Sequence, residues 1–424
     1  MRNKVFPLFL IFLISISSCK KDAVEKEQPV SPTTGTRMEF TLDSLYLYAS
    51  QVYLWNDALP SYTVFNPRQY SGITPELSAY QKELFDITQM KNNPATASPY
   101  ELPVTAGNPK YSHLQSGTAS VGTAAGATAA VGSTSQNAVL QTTVINPGNN
   151  NIGYIALGSF PELSSSKTAL DNAFAILAAA KPTQLVIDLR TNGGGYVETA
   201  EYVANLVAGS SLDGKAIYTE QYNTLLQSGK ATILKNQPYL DEAGKPVIYN
   251  GRNATMADVD YTEAGNTYYF SKKGTLETIT DIYFIVSSRT ASASEMLISC
   301  LKPYYRVQLA GTVTYGKPVG FFPVQIDQYS VYLSSFLIKN ARGWSDYFTG
   351  MPVDIAVTGQ SNPVLGDPEE TCLKAVLAAI NGTNAGTSAL KKLEKREKAI
   401  NSTASSGAIL YPHDMVETRL RIKR

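Results

Sequence analysis

The sequence predicts an α/β fold, and three observations carry that reading. Gln184–Arg190, Ile282–Val286 and Tyr305–Ala310 are short apolar runs that read as buried strands. The first two run into turns of small residues, Thr191-Asn-Gly-Gly-Gly195 and Thr290-Ala-Ser-Ala-Ser294. Apolar residues then resume at helical spacing: Val197, Ala200, Val203, Ala204 and Val207 after the first turn, and Met296, Leu297 and Ile298 after the second. Strands alternating with helices in this way belong to an α/β architecture.

The turns are also where chemistry is concentrated. Ser292 stands between a buried strand and a helix start, which is how folds present a nucleophile with a helix N-terminus beneath developing negative charge. Lys317 lies 25 positions on, just past the third strand, so two neighbouring strands can bring both side chains together. The chain has two histidines, His113 and His413, in unrelated contexts, which favours a lysine as general base. The competing reading makes Ser292 one more residue of an Ala/Ser-rich chain and Lys317 one more surface lysine. The glycine cluster at 193–195 lets backbone N–H groups approach a ligand, for binding phosphate or for an oxyanion hole.

Together, and in this order, DLRTNGGG, TASASE and TYGK resemble the S41 family of serine peptidases, the C-terminal processing or tail-specific proteases. The resemblance covers roughly Ile152 to Ile380. It implies a ClpP/crotonase-like core, with Ser292 as nucleophile and Lys317 as its general base. Ala293 and Gly194 would supply oxyanion-hole N–H groups, and Glu295 matches a position that helps hold the site together. Read without the family, Glu295 is an acid interacting with a helix N-terminus. Free lysine titrates near 10.4, so a lysine base must sit in a dry site that lowers it by about three units, on the order of 4 kcal/mol. Val313, Val319 and Phe321 are apolar neighbours that make such a site plausible.

Two supporting positions depart from the family pattern: Pro303 replaces an aspartate and Phe321 a glutamine. The PDZ domain common in the family has no room here, because the interval between Leu114 and Ile152 is short and Ala119–Gln136 is nearly all Ala, Gly, Ser and Thr. That stretch reads as a flexible linker.

The expected organisation is a lipoprotein signal peptide at 1–18, a polar tether at 19–37 and a small N-terminal helical domain at 38–100. A linker at 101–151, the catalytic domain at 152–382 and a charged tail at 383–424 follow. Arg2 and Lys4 precede an apolar run that is too short to span a bilayer and ends in Ile16-Ser-Ser-Cys19, so Cys19 is the expected lipidation site. The location implied is the cell envelope, lipid-anchored, at the outer membrane. Tyr53 to Pro60 resembles a signature of Bacteroidetes members, and the charged Lys20-Lys-Asp22 resembles their surface-export signals.

Composition excludes other classes. The formal charge of +1 becomes −1 once Arg2 and Lys4 leave with the signal peptide, which gives no reason to expect nucleic-acid binding. No HExxH motif or paired CxxC is present, so neither a metal nor another cofactor is expected. Cys300 and Cys372 read as small buried hydrophobes. Gly311–Lys317 fits the start of a phosphate-binding loop, but Pro318 offers neither hydroxyl nor N–H at the next position. The function predicted is a serine endopeptidase acting on unfolded or extended polypeptides. The alternative is a peptide-binding lipoprotein that keeps the fold without efficient catalysis.

Overall fold

The computed structural model describes residues 30–103, 105–117, 137–146, 150–241, 244–358, 363–382 and 419–423. The signal peptide, Cys19, most of the tether, the low-complexity stretch at 118–136, His413 and most of the tail lie outside the described residues. The chain divides into two compact units, Met1–Gly35 and Thr36–Arg424. In the first, the described residues 30–35 form no regular element. All that follows concerns the second.

From Thr36 the chain forms helices α1 (Arg37–Val52) and α2 (Glu76–Thr88), then strand β1 (His113–Ser116). Next come β2 (Val139–Ile145), β3 (Ile152–Leu157), α3 (Leu163–Ala180), β4 (Gln184–Asp188) and α4 (Val197–Val207). β5 (Ala216–Tyr222), β6 (Thr267–Tyr269), β7 (Asp281–Val286), α5 (Ala293–Leu301) and β8 (Arg306–Gly311) follow. The chain continues with β9 (Val319–Gly320), β10 (Pro323–Ile326), β11 (Tyr329–Tyr332), β12 (Phe336–Asn340), β13 (Ile355–Ala356) and α6 (Thr371–Ile380).

The α/β class expected from the sequence is the one adopted. A central six-stranded sheet runs β13-β8-β7-β4-β3-β2, parallel throughout except for β2. β7 lies in the middle of it and is buried along its whole length, which is why its sequence is continuously apolar after Asp281. The registers pair Asp188 with Ile285 and Ile285 with Ala310, so β4, β7 and β8 end level with one another. The glycine loop, the serine turn and the lysine loop therefore leave one edge of the sheet side by side. In open α/β sheets that carboxyl edge is where ligands bind.

Two antiparallel sheets complete the body, β6-β5-β12-β9 and β10-β11-β1. β9 begins two residues after Lys317 and is held by β12, so the second sheet fixes the far end of the lysine loop. Much of it comes from the 212–280 insertion, where β6 pairs with β5.

Three regions differ from the boundaries read in the sequence. α1 and α2, expected within a helical domain of their own, contribute Leu42, Leu45, Val52, Leu84 and Ile87 to the same hydrophobic core as the central strands. Trp55 stacks on Tyr100 at 4.5 Å, and Phe348 meets the edge of Tyr100 at 4.6 Å, so these aromatics are core contacts. The linker expected over 101–151 is built into the body on both sides of residues 118–136. Glu101 accepts from Ser112 N at 2.7 Å and from Ser334 Oγ at 2.9 Å, and β1 and β2 each join a sheet. At the other end, Leu420 is buried, Ile422 bridges to Val259 and Arg419 pairs with Glu201 at 3.0 Å. A few apolar residues within polar stretches are enough to dock those segments, and such isolated positions show no period in the sequence.

One buried group opposes the fold. Both carboxyl oxygens of Glu83 on α2 are buried without a hydrogen-bond partner. Burial, reinforced by nearby Asp43, pushes its pKa well above the usual carboxyl range. Folding thus holds this proton more tightly than the unfolded chain does. The associated stability is fully present below the unfolded carboxyl pKa and is lost as pH rises through the raised folded value. Glu83→Met should therefore gain on the wild type as pH rises from about 5 to 8, by about 1–3 kcal/mol at the upper end. Thermal melts across that range check this, and an unchanged or lower Tm at pH 8 contradicts it.

Candidate active site

Ser292 occupies the N-cap of α5 with φ 59° and ψ −121°, a conformation that non-glycine residues rarely adopt. Holding it there costs on the order of 1–3 kcal/mol, which the surrounding bonds must offset. Those bonds reach back to the glycine loop. Ser287 Oγ donates to Arg190 O at 2.6 Å, Thr290 Oγ1 to Leu189 O at 2.8 Å and Ser294 Oγ to Asn192 O at 3.1 Å. All nine residues of α5 are buried. Ser294 Oγ thus ties the serine turn to the glycine loop.

Gly194 is the point of closest approach. Its φ is +108°, and a Cβ built on it would lie 2.8 Å from Ser292 Cβ and 3.1 Å from Ala293 N. Only glycine fits there. The loop therefore rests directly on the serine turn, and the main chains of Gly194 and Ala293 flank Ser292. The Gly194 N–H itself donates to Asn192 Oδ1 at 2.9 Å.

The buried carboxylate of Glu295 joins the serine to the lysine. Oε2 accepts from Ser292 N at 3.1 Å and from Lys317 N at 2.8 Å. Oε1 accepts from Gly316 N at 2.7 Å and from the Thr314 hydroxyl. Burial pushes the Glu295 pKa up, while the four donors pull against that shift. Three of the donors are main-chain N–H groups that cannot accept a proton in return, so the ionised form is the one this geometry holds. The two N–H groups at Gly316 and Lys317, which a phosphate-binding loop would turn toward a ligand, both belong to Glu295.

The lysine loop is clamped from behind as well. A Cβ on Gly316, at φ +87°, would lie 2.4 Å from Gly350 N, so residues 314–316 interlock with 348–350. Met351 N donates to Thr314 Oγ1 at 2.8 Å, and Tyr111 OH donates to Gly316 O at 2.6 Å. The Lys317 side chain is buried, with Nζ 4.7 Å from the centre of the Phe321 ring. His113 meets the edge of the same ring at 6.0 Å and stacks on Tyr332 at 4.7 Å. This histidine, set aside in the sequence as unrelated, packs behind the ring that Lys317 faces.

Sequence reasoning missed other members of the site. Lys110 donates to Phe348 O at 2.6 Å and lies 5.0 Å from the Tyr315 ring, and burial pushes its pKa down to about 8. More than 200 positions separate Lys110 from its partners, and nothing local in the sequence marks it. Asn192 lay within the quoted glycine motif, but its buried Nδ2, which has no partner, appears only in three dimensions. Pro303 accepts from the Arg342 guanidinium at 2.8 Å and serves the surface.

A second network fixes the base of the glycine loop. Buried Arg190 pairs with Asp188 at 2.8 Å and with Glu370, the N-cap of α6, at 2.8 Å. Burial opposes its charge, yet its two carboxylate partners outweigh that and raise its pKa. Cys300 and Cys372 are free thiols, both buried, and burial pushes the Cys372 pKa up to about 12. Among the described residues no group of three His, Cys, Asp or Glu is placed to hold a metal, and no helix is long and apolar enough to cross a membrane.

Residues 151–345 match the model of peptidase family S41. A curated relative, the chloroplastic C-terminal processing peptidase of Tetradesmus obliquus, is 28% identical over 218 residues, which are 51% of this chain and 36% of that protein. The chain thus spans about a third of the relative's length. Among solved structures, one described as an S41 protease from Bacteroides fragilis is 22% identical over 59% of each chain, with a TM-score of 0.44. A peptidase from Parabacteroides merdae is 14% identical over 83% of this chain and 98% of that one, with a TM-score of 0.45.

Glu295→Gln tests the bridge. The carboxamide would turn an N–H₂ group toward N–H donors it now accepts, so the chain should lose about 2–5 kcal/mol of stability. Denaturant unfolding measures this, and a loss below about 1 kcal/mol would show that the carboxylate does not hold the two loops.

Proposed function

We propose that this chain, whose residues 151–345 match the model of peptidase family S41, is a serine endopeptidase working through Ser292 and Lys317. The observation that carries the reading is the Glu295 carboxylate, which binds the main-chain N–H of both residues and so couples nucleophile and base.

In this reading Lys317 Nζ takes the hydroxyl proton as Ser292 Oγ bonds to the substrate's carbonyl carbon. The carbonyl π pair moves onto oxygen. Collapse of that adduct expels the amine, which receives the proton from Lys317, and water then hydrolyses the acyl-enzyme by the same route. Ala293 N–H donates to the developing oxyanion, a contribution of about 100- to 1000-fold, while the Gly194 N–H expected beside it is held by Asn192 Oδ1. Ser292 Oγ is buried and has no hydrogen-bond partner, so a polypeptide reaches it only after the covering loops separate. The substrates proposed are unfolded or extended polypeptides. The N-terminus is proposed to be lipidated at Cys19 and to anchor the chain at the outer membrane.

Hydrolysis of an unfolded protein should fall to background in Ser292→Ala while circular dichroism remains native. Lys317→Arg should be equally inactive, since guanidinium does not deprotonate in this range. Wild-type cleavage by either variant would remove the assignment.

Substrate choice gives a separate test. With no complete PDZ domain proposed, capture of a substrate's C-terminus by strand addition is not expected. Two substrates differing only in a free apolar or an amidated C-terminus should have similar kcat/KM. A difference beyond about 30-fold, or roughly 2 kcal/mol, would require a tail-reading site.

A further inference from the structure

The glycine loop holds one buried polar atom that nothing in the fold uses. Asn192 is fully buried, and its Nδ2 has no hydrogen-bond partner. An orphaned donor of this kind costs about 1–3 kcal/mol and calls for an explanation. The rest of the residue is fully engaged. Its N–H donates to Leu189 O at 3.0 Å, Oδ1 accepts from Gly194 N at 2.9 Å and its carbonyl accepts from Ser294 Oγ at 3.1 Å. The two main-chain bonds hold the backbone, the Oδ1 bond orients the carboxamide, and both Nδ2 hydrogens are left unspent.

The position of the orphan gives it a use. Gly194, bonded to the same carboxamide, rests on Ser292 and Ala293, and the Ser292 hydroxyl is itself buried without a partner. Two touching segments thus carry an unpaired oxygen nucleophile and an unpaired nitrogen donor. Meanwhile the Gly194 N–H, expected to serve the oxyanion, is committed to Asn192 Oδ1. We propose that Asn192 is a catalytic residue whose Nδ2–H₂ donates to the substrate's carbonyl oxygen as it becomes the tetrahedral oxyanion, alongside the Ala293 N–H. The inference rests on the Ser292 reading above. The donor is pre-oriented by the Gly194 bond, so little reorganisation accompanies the reaction, and the interaction strengthens as charge develops.

Two variants separate this role from support of the loop. Asn192→Asp keeps an acceptor for Gly194 N–H and removes the donor, and Asn192→Ala removes both without adding charge. Both are assayed in the full chain on unfolded, dye-labelled casein and with a peptide boronate, whose tetrahedral adduct places an oxygen at the oxyanion position. Both variants should lose about 100- to 1000-fold in kcat with KM within a few-fold, and boronate affinity should fall in parallel. Wild-type kcat in a folded Asn192→Ala overturns the proposal, because any loss in the aspartate variant is then an effect of its charge. A loss confined to KM or to Tm, with boronate affinity retained, also overturns it. If Asn192→Ala does not fold, the boronate affinity of Asn192→Asp relative to its affinity for the boron-free parent peptide decides, since charge alone weakens neutral-peptide binding as well. Persistent hydrolysis in Ser292→Ala would instead remove the underlying reading, whatever the Asn192 variants do.

Discussion

The site depends on one buried carboxylate. Glu295 stands in the first turn of α5 and binds main-chain N–H groups of Ser292, Gly316 and Lys317 together with the Thr314 hydroxyl. A carboxylate removed from water is costly unless its lone pairs are filled, and these four donors fill them. The same bonds hold Ser292 at its unusual φ and tie the serine turn to the lysine loop. Strain at Ser292 and order at Lys317 are therefore two consequences of one interaction.

Around that bridge the fold supplies rigidity in layers. The level ends of β4, β7 and β8 set the three loops beside one another. Arg190, held between Asp188 and Glu370, secures the glycine loop to α6, and the interlocked 314–316 and 348–350 segments secure the lysine loop. The second sheet takes over directly after Lys317. Ser292 and Lys317 are both buried within this order.

The central sheet was legible in the sequence because a strand buried on both faces must be continuously apolar, as Ile282–Val286 and Leu185–Ile187 are. The three motif loops were legible because each follows such a strand. The docking of residues 101–117 and 419–423 was not. Glu101 reads as a surface acid until Ser112 and Ser334 surround it, and Leu420 is one apolar residue in a charged stretch. Asn192 and Lys110 were hidden for a related reason, since burial and long-range partners define them and neither leaves a period in the chain. His113 looked isolated because its ring partners, Phe321 and Tyr332, lie more than 200 positions away.

The most direct test of the central claim is the position of a covalent adduct. A fluorophosphonate reacts with an activated serine, and digestion followed by mass spectrometry locates the modified residue. The account predicts a single adduct on Ser292 in the wild-type chain, lost in Lys317→Ala. An adduct on Ser287 or Ser294, or labelling of Ser292 at an undiminished rate without Lys317, would contradict it.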